Sequence, residues 1–99
     1  MEKNCFITIT GFNHYYGMRP FDVGRMIKLV KEPDNEYDVD AIRAELPYIG
    51  KIGYVANSVN TVIMGTFSAG RVYGHFGDTT HAKILFITHS GVICVLMPK

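Results

Sequence analysis

Between Glu32 and Asp40 the chain concentrates five of its nine acidic residues, together with Pro33, Asn35 and one large aromatic, Tyr37. Carboxylates at alternating positions, Asp34, Glu36, Asp38 and Asp40, raise the question of a bound cation. A calcium loop begun at Asp34 would end correctly on Glu45, but it places Val39 where the sharp turn requires glycine, and no helical sequence flanks it. A two-metal hydrolytic site needs carboxylates from separate rigid anchors, which one short loop rarely supplies. His14, His75, His81 and His89 show no zinc-ligand spacing, and there is no Cys-x-x-Cys pair to complete a set. Gly-x-Ser-x-Gly, His-Glu-x-x-His and phosphate-loop patterns are absent. The expectation is therefore no metal, no cofactor and no catalytic residue. What remains is acceptor and stacking chemistry. An ionised aspartate only accepts hydrogen bonds, so it welcomes a hydroxyl and repels a phosphate. Aromatic faces stack nucleic-acid bases with little sequence preference. The plain alternative is a solvated acidic connection.

The elements that must hold this stretch are strand-like. Cys5 to Phe12 alternates β-branched or aromatic residues with small polar ones and reads as a strand ending at Gly11. Asn13 to Pro20 is a loop carrying three consecutive rings, His14, Tyr15 and Tyr16. Asp22-Val23-Gly24 turns into a second strand, Arg25 to Lys31. The Pro-Asp-Asn cluster then predicts a shaped loop, because Pro presets φ while Asp and Asn side chains bond nearby backbone. Asp40 to Leu46 and Lys51 to Ala56 are the third and fourth strands around a turn at Pro47 to Gly50. Asn57-Ser58 reads as the cap of a short helix bearing Val59, Val62, Ile63 and Met64 and stopped by Gly65. Arg71-Val72-Tyr73 reads as strand, Gly74 and Gly77 mark a bend around His75-Phe76, and His81 to His89 with Val92 to Met97 make a closing hairpin. About seven strands and one short helix predict a mainly β fold, a small closed or nearly closed barrel without exposed edges.

Ninety-nine residues, 47% hydrophobic and 12% aromatic, suit one small domain over residues 1–99 with a modest core. A generic phosphate binder should be plainly basic, so at a formal net charge of +1 any nucleic-acid contact must be local and modest or depend on a partner. Cys5 and Cys94 read as buried free thiols, with a bridge between the terminal strands as the alternative. Met1-Glu2-Lys3-Asn4 does not lead into a signal-peptide core, and no apolar run is long enough to span a membrane, so the expected location is cytoplasmic without membrane association.

The string Glu32-Pro33-Asp34-Asn35-Glu36-Tyr37-Asp38-Val39-Asp40-Ala41-Ile42, followed by Ile52-Gly53-Tyr54-Val55, resembles the signature of the HIRAN domain, densely from Lys28 to Val55 and more thinly elsewhere. The resemblance implies an OB-like barrel that captures a single-stranded DNA end, preferentially a 3′-hydroxyl end. Such modules occur at the N-terminus of DNA remodelling helicases and alone in bacteria, which points to DNA repair and to a DNA helicase or nuclease partner. By position it assigns the terminal-base platform to Tyr37, the acceptor of the 3′-hydroxyl to Asp38 and a further polar contact to Asn35. The ring wall falls on His14 or Tyr15, with Tyr54 and Phe76 as further rings. Two departures reduce positive potential: Ala56-Asn57-Ser58 stands where relatives often carry a basic residue, and Glu36 where proline is common. The alternative function is a protein or peptide interaction module using the same pocket.

Overall fold

The computed structural model describes residues 4–97; the reading of Met1-Glu2-Lys3 as a leader-free start lies outside them. Among the described residues, six strands form a closed antiparallel barrel: β1 (Phe6–Thr10), β2 (Met26–Lys31), β3 (Ile42–Leu46), β4 (Gly50–Val55), β5 (Thr79–Ile87) and β6 (Val92–Met97). Their order round the barrel is β1-β4-β3-β2-β5-β6, with β6 pairing back to β1. The period-two patterns do what they predict. Ile7 and Ile9, Ile27 and Leu29, Ile42 and Ala44, Ile52, Ala82 and Ile84, and Val92 and Cys94 all point inward and are buried. The fold is thus mainly β and OB-like, as expected, but it has six strands and not seven.

Two bulges re-aim side chains. Between β3 and β4, Ala44 pairs with Gly53 and Glu45 with Lys51, leaving Ile52 as the extra residue. In a regular strand Lys51 and Tyr54, three apart, would face opposite sides. The bulge places both on the outer face, where they are hydrogen-bonded, while Ile52 fills the core. Gly53 is required by close approach, since a Cβ there would lie 2.8 Å from the Thr10 carbonyl oxygen and 2.9 Å from Ile9 Cγ2. The second bulge, at Leu85, ends the inward alternation of β5 and leaves Phe86 and Ile87 exposed.

The helix lies elsewhere than the sequence indicates. Residues 58–65 make turns and no helix, and α1 (Ala69–Val72) sits where the sequence pattern indicates a turn at Ser68-Ala69-Gly70 leading into a strand at Arg71. Asn57-Ser58 does start a turn, with Thr61 and Val62 N–H groups on the Ser58 carbonyl, but it does not propagate. Tertiary bonds compete: the Ile63 N–H donates to Thr8 Oγ1 at 3.2 Å, and Thr66 Oγ1 donates to the Ile63 carbonyl at 2.7 Å. Thr8 Oγ1 then donates to Thr66 Oγ1 at 2.8 Å, which satisfies a buried hydroxyl. This segment closes the edge of β1 that β4 leaves open, because Ala56 and Phe67 donate their N–H groups to Thr8 and Phe6 carbonyls. The true cap is Ser68, which accepts from the Arg71 N–H.

Both cysteines are free, but only Cys94 is buried, and burial pushes its thiol up to about 12. Cys5 is half-buried, with Sγ 3.5 Å from His75 Nδ1. No helix among the described residues is long and apolar enough to cross a membrane.

Closure depends on β5 and β6, which pair with the free edges of β2 and β1. A chain cut before Thr79 is expected to show no cooperative thermal transition, because two strand edges and the core face of Ile27, Leu29 and Ile7 would be opened. A cooperative melt from residues 1–78 would mean that four strands suffice.

Candidate nucleic-acid interface

The acidic loop is stitched by its own side chains. Asn35 N–H donates to the Glu32 carbonyl at 3.0 Å, closing a turn with Pro33 at its second position. Asn35 Oδ1 accepts from the Tyr37 N–H at 2.8 Å and the Asp38 N–H at 3.0 Å. Asp38 Oδ1 accepts from the Asp40 N–H at 2.9 Å, and the Asp38 carbonyl accepts from Ala41, which leads into β3. The backbone under Tyr37 is therefore held, while its ring is 93% exposed and plays no part in the core.

This loop forms one side of a cleft of about 570 Å³ lined by Thr10, Tyr15, Tyr54 and Ala56 as well as Asn35, Tyr37, Asp38 and Asn57. Five of the seven expected site residues thus meet in one place: Tyr15, Asn35, Tyr37, Asp38 and Tyr54. His14 and Phe76 do not line it. The turn Phe12–His14 is a 3₁₀ helix whose Phe12 is buried edge-on against Phe21. The turn ends at His14, which is exposed, and Tyr15, just past it, lines the cleft. Phe76 is half-buried against the core, where its carbonyl accepts from Lys31 Nζ at 2.6 Å and its ring lies under the same ammonium.

Two groups not singled out by the sequence shape the cleft. Asn57 donates through Nδ2 to Asp38 Oδ2 at 2.9 Å and accepts from the Gly70 N–H at 2.8 Å, tying the loop to α1. Each Asp38 oxygen has one partner, so each keeps capacity for another donor. Glu32 is the hub. It accepts from Tyr54 OH at 2.9 Å and Asn35 Nδ2 at 2.9 Å, and pairs with Arg43 at 3.4 Å and Lys51 at 3.6 Å. Lys51 Nζ also donates to Tyr54 OH at 2.7 Å and lies 5.7 Å from the Tyr15 ring centroid. The Tyr15 and Tyr54 rings stand 6.5 Å apart, tilted by 48°. Local sequence carries no signal for either hub or bridge, since their partners come from other strands.

The network sets its own charge states. Burial pushes the Glu32 carboxyl up, but hydrogen bonds from Asn35 and Tyr54, the Lys51 charge and the Arg43 bond together hold it below its ordinary value. The hydrogen bond to Tyr54, helped by Glu32, raises Lys51. Burial keeps the Tyr54 phenol protonated above its usual range. Among the described residues no cluster of three or more His, Cys, Asp or Glu side chains could hold a metal ion.

A closed antiparallel barrel presenting a stiffened loop and an open cleft walled by rings defines a small binding module. The match to known families agrees: residues 3–73 match the HIRAN domain, well over half of the chain. The chain belongs to the HIRAN family, a family of DNA-binding modules that are not themselves catalytic. The matched segment stops before β5, so the two strands that close the barrel lie beyond it. No curated protein and no solved structure matches the chain.

Glu32 supplies a pH test. A carboxyl lowered on folding contributes stability that is whole above its ordinary value of 4.5 and is lost as pH falls through the lower folded value. Glu32→Gln is expected to cost about 1 kcal/mol at neutral pH, the scale of a hydrogen-bonded and partly screened ion pair. The difference from wild type should shrink on acidification below 4.5. Equal pH dependence in both proteins would show that Glu32 is not charged in the network.

Proposed function

We propose that the cleft holds single-stranded DNA at its 3′ end, with the terminal base stacked on Tyr37 between the loop and the Tyr15–Tyr54 wall. The observation that carries this reading is the exposed Tyr37 ring set on a hydrogen-bonded backbone beside Asp38. An aromatic so exposed contributes nothing to packing, and the loop that holds it is rigidified by three side-chain-to-backbone bonds. Asp38 accepts the terminal hydroxyl with its remaining lone pairs, and Asn57 fixes the carboxylate's orientation. The cleft binds and does not catalyse, and Asn35 acts through the backbone of Tyr37 and Asp38 more than through direct contact.

Affinity in this scheme comes from stacking and hydrogen bonding, because no Lys or Arg lines the cleft and Lys51, beside its Tyr15 and Tyr54 rings, is already paired with Glu32. A net charge of +1 also supports a second reading, in which the cleft takes a protein tail. A helicase or nuclease acting on the captured end, in DNA repair, is the partner class that fits the first reading. The same cleft with residues 79–97 forms one domain in this scheme.

Titration of single strands differing only at the 3′ terminus tests the reading. Wild type should prefer a 3′-hydroxyl over a 3′-phosphate by at least tenfold, a charged hydrogen bond being typically worth about 1.5–3 kcal/mol. Asp38→Asn should shrink that ratio. Tyr37→Ala should weaken binding by about 1–3 kcal/mol and leave stability within about 0.5 kcal/mol, as for other exposed sites. A wild type indifferent to the terminus, or a ratio unchanged in Asp38→Asn, would mean that Asp38 does not accept the terminal hydroxyl.

A further inference from the structure

Beyond the Tyr15 end of the cleft, exposed rings continue at Tyr16 and Tyr48. The outer face of β4 runs from Tyr54 back through Lys51 to the hairpin tip Pro47-Tyr48-Ile49, and the loop carrying Tyr15 and Tyr16 leans along it. Tyr16 OH donates to the Ile49 carbonyl at 3.3 Å, and Lys51 Nζ lies 4.9 Å from the Tyr54 ring centroid and 5.7 Å from that of Tyr15. Tyr37, Tyr54 and Tyr15 line the cleft, Tyr16 reaches from beside them to the hairpin tip, and Tyr48 is the tip residue next to its Ile49 contact.

Tyr48 is the unusual member. It is fully exposed, and among the described residues it is the one non-glycine with positive φ, at 76°. Glycine or asparagine takes that conformation at far less cost than a bulky side chain. A ring held in a disfavoured backbone conformation and touching no core has no folding role. Residues held in sparsely populated conformations cluster at functional sites. From Tyr54 to Gly50 the strand covers roughly 10–13 Å at about 3.3 Å per residue, and the hairpin tip lies beyond that, farther than one stacked nucleotide reaches. OB folds engage about 4–16 nucleotides, by successive stacking on rings beside a backbone-tracking cation. Lys51 stands between the Tyr15 and Tyr54 rings, but its charge is shared with Glu32, so the row holds a strand chiefly by stacking.

We propose that Tyr16 and Tyr48, continuing outward from Tyr15, form a second stacking site that takes internal nucleotides of the strand whose 3′ end occupies the cleft. This rests on the single-stranded DNA reading of the cleft. It turns an end pocket into a track with a direction: the terminus sits at Tyr37 and the body of the strand passes over β4 to the hairpin tip.

The test is affinity against length, using 3′-hydroxyl oligothymidylates of about two and about eight nucleotides, chosen to fall below and within the range of OB-fold site sizes. The longer strand should bind at least about fivefold more tightly, from one added base stack. Tyr48→Asn should abolish that gain while leaving the short strand's affinity unchanged, and its melting temperature should equal or exceed wild type because asparagine tolerates positive φ. Tyr37→Ala should weaken both lengths alike. Equal affinity for both lengths with the 3′-hydroxyl preference intact would overturn the row and spare the cleft. No binding of either strand would overturn both. Self-association of wild type that is lost in Tyr48→Asn, together with length-independent binding, would make the tip an interface between copies and likewise overturn the row.

Discussion

The Glu32 carboxylate is the constraint on which the site depends. It sits where β2 gives way to the acidic loop, with a side chain only 15% exposed, and its oxygens meet groups from β3, β4 and the loop at once. A mostly buried carboxylate is costly unless paired and hydrogen-bonded. Tyr54 and Asn35 donate to it while Arg43 and Lys51 balance its charge. The same contacts orient Tyr54, the wall of the cleft, and Asn35, whose side-chain oxygen holds the backbone of Tyr37 and Asp38. Loop shape and wall position are thus set by one ion. The β3–β4 bulge is what makes this possible, since without it Lys51 and Tyr54 would lie on opposite faces.

That arrangement has a chemical consequence. No Lys or Arg lines the cleft, and Lys51 and Arg43 in the network behind it are paired with Glu32 and Glu45, so the face carries rings, hydroxyls and carboxamides and little free positive charge. In the proposed scheme such a module reads the end of a strand through stacking and a carboxylate acceptor, and draws little on the counterion release that dominates ordinary DNA affinity. The net charge of +1, lower than a generic phosphate binder should carry, is compatible with such a site.

Much of this was legible in the chain. Alternation named the strands because each has one face in the core, and the Pro33-Asp34-Asn35 cluster named the loop because its turn chemistry is local. Contacts made across the barrel were not legible. Asn57 reads as a helix cap, yet it bridges Asp38 and Gly70, and the apolar spacing from Val59 to Met64 mimics a helix that hydrogen bonds to Thr8 prevent. Val59 and Met64 are almost fully exposed, so the apparent apolar face was never a buried one. Phe76 reads as an available ring but is engaged by Lys31. His14 and Tyr15 could be told apart only once the 3₁₀ turn fixed Phe12 inward. Tyr48 carries no local mark at all, because nothing in Pro-Tyr-Ile announces a left-handed tyrosine.

The most direct test of end capture in the cleft is a map of backbone and side-chain NMR shifts during titration with a 3′-hydroxyl single strand. The largest changes are expected at Asn35, Tyr37, Asp38 and Asn57 and at the Tyr15 and Tyr54 rings, with His14 and Phe76 unmoved. Changes centred on His75, Phe76 and Lys31, or no changes at all, would contradict it.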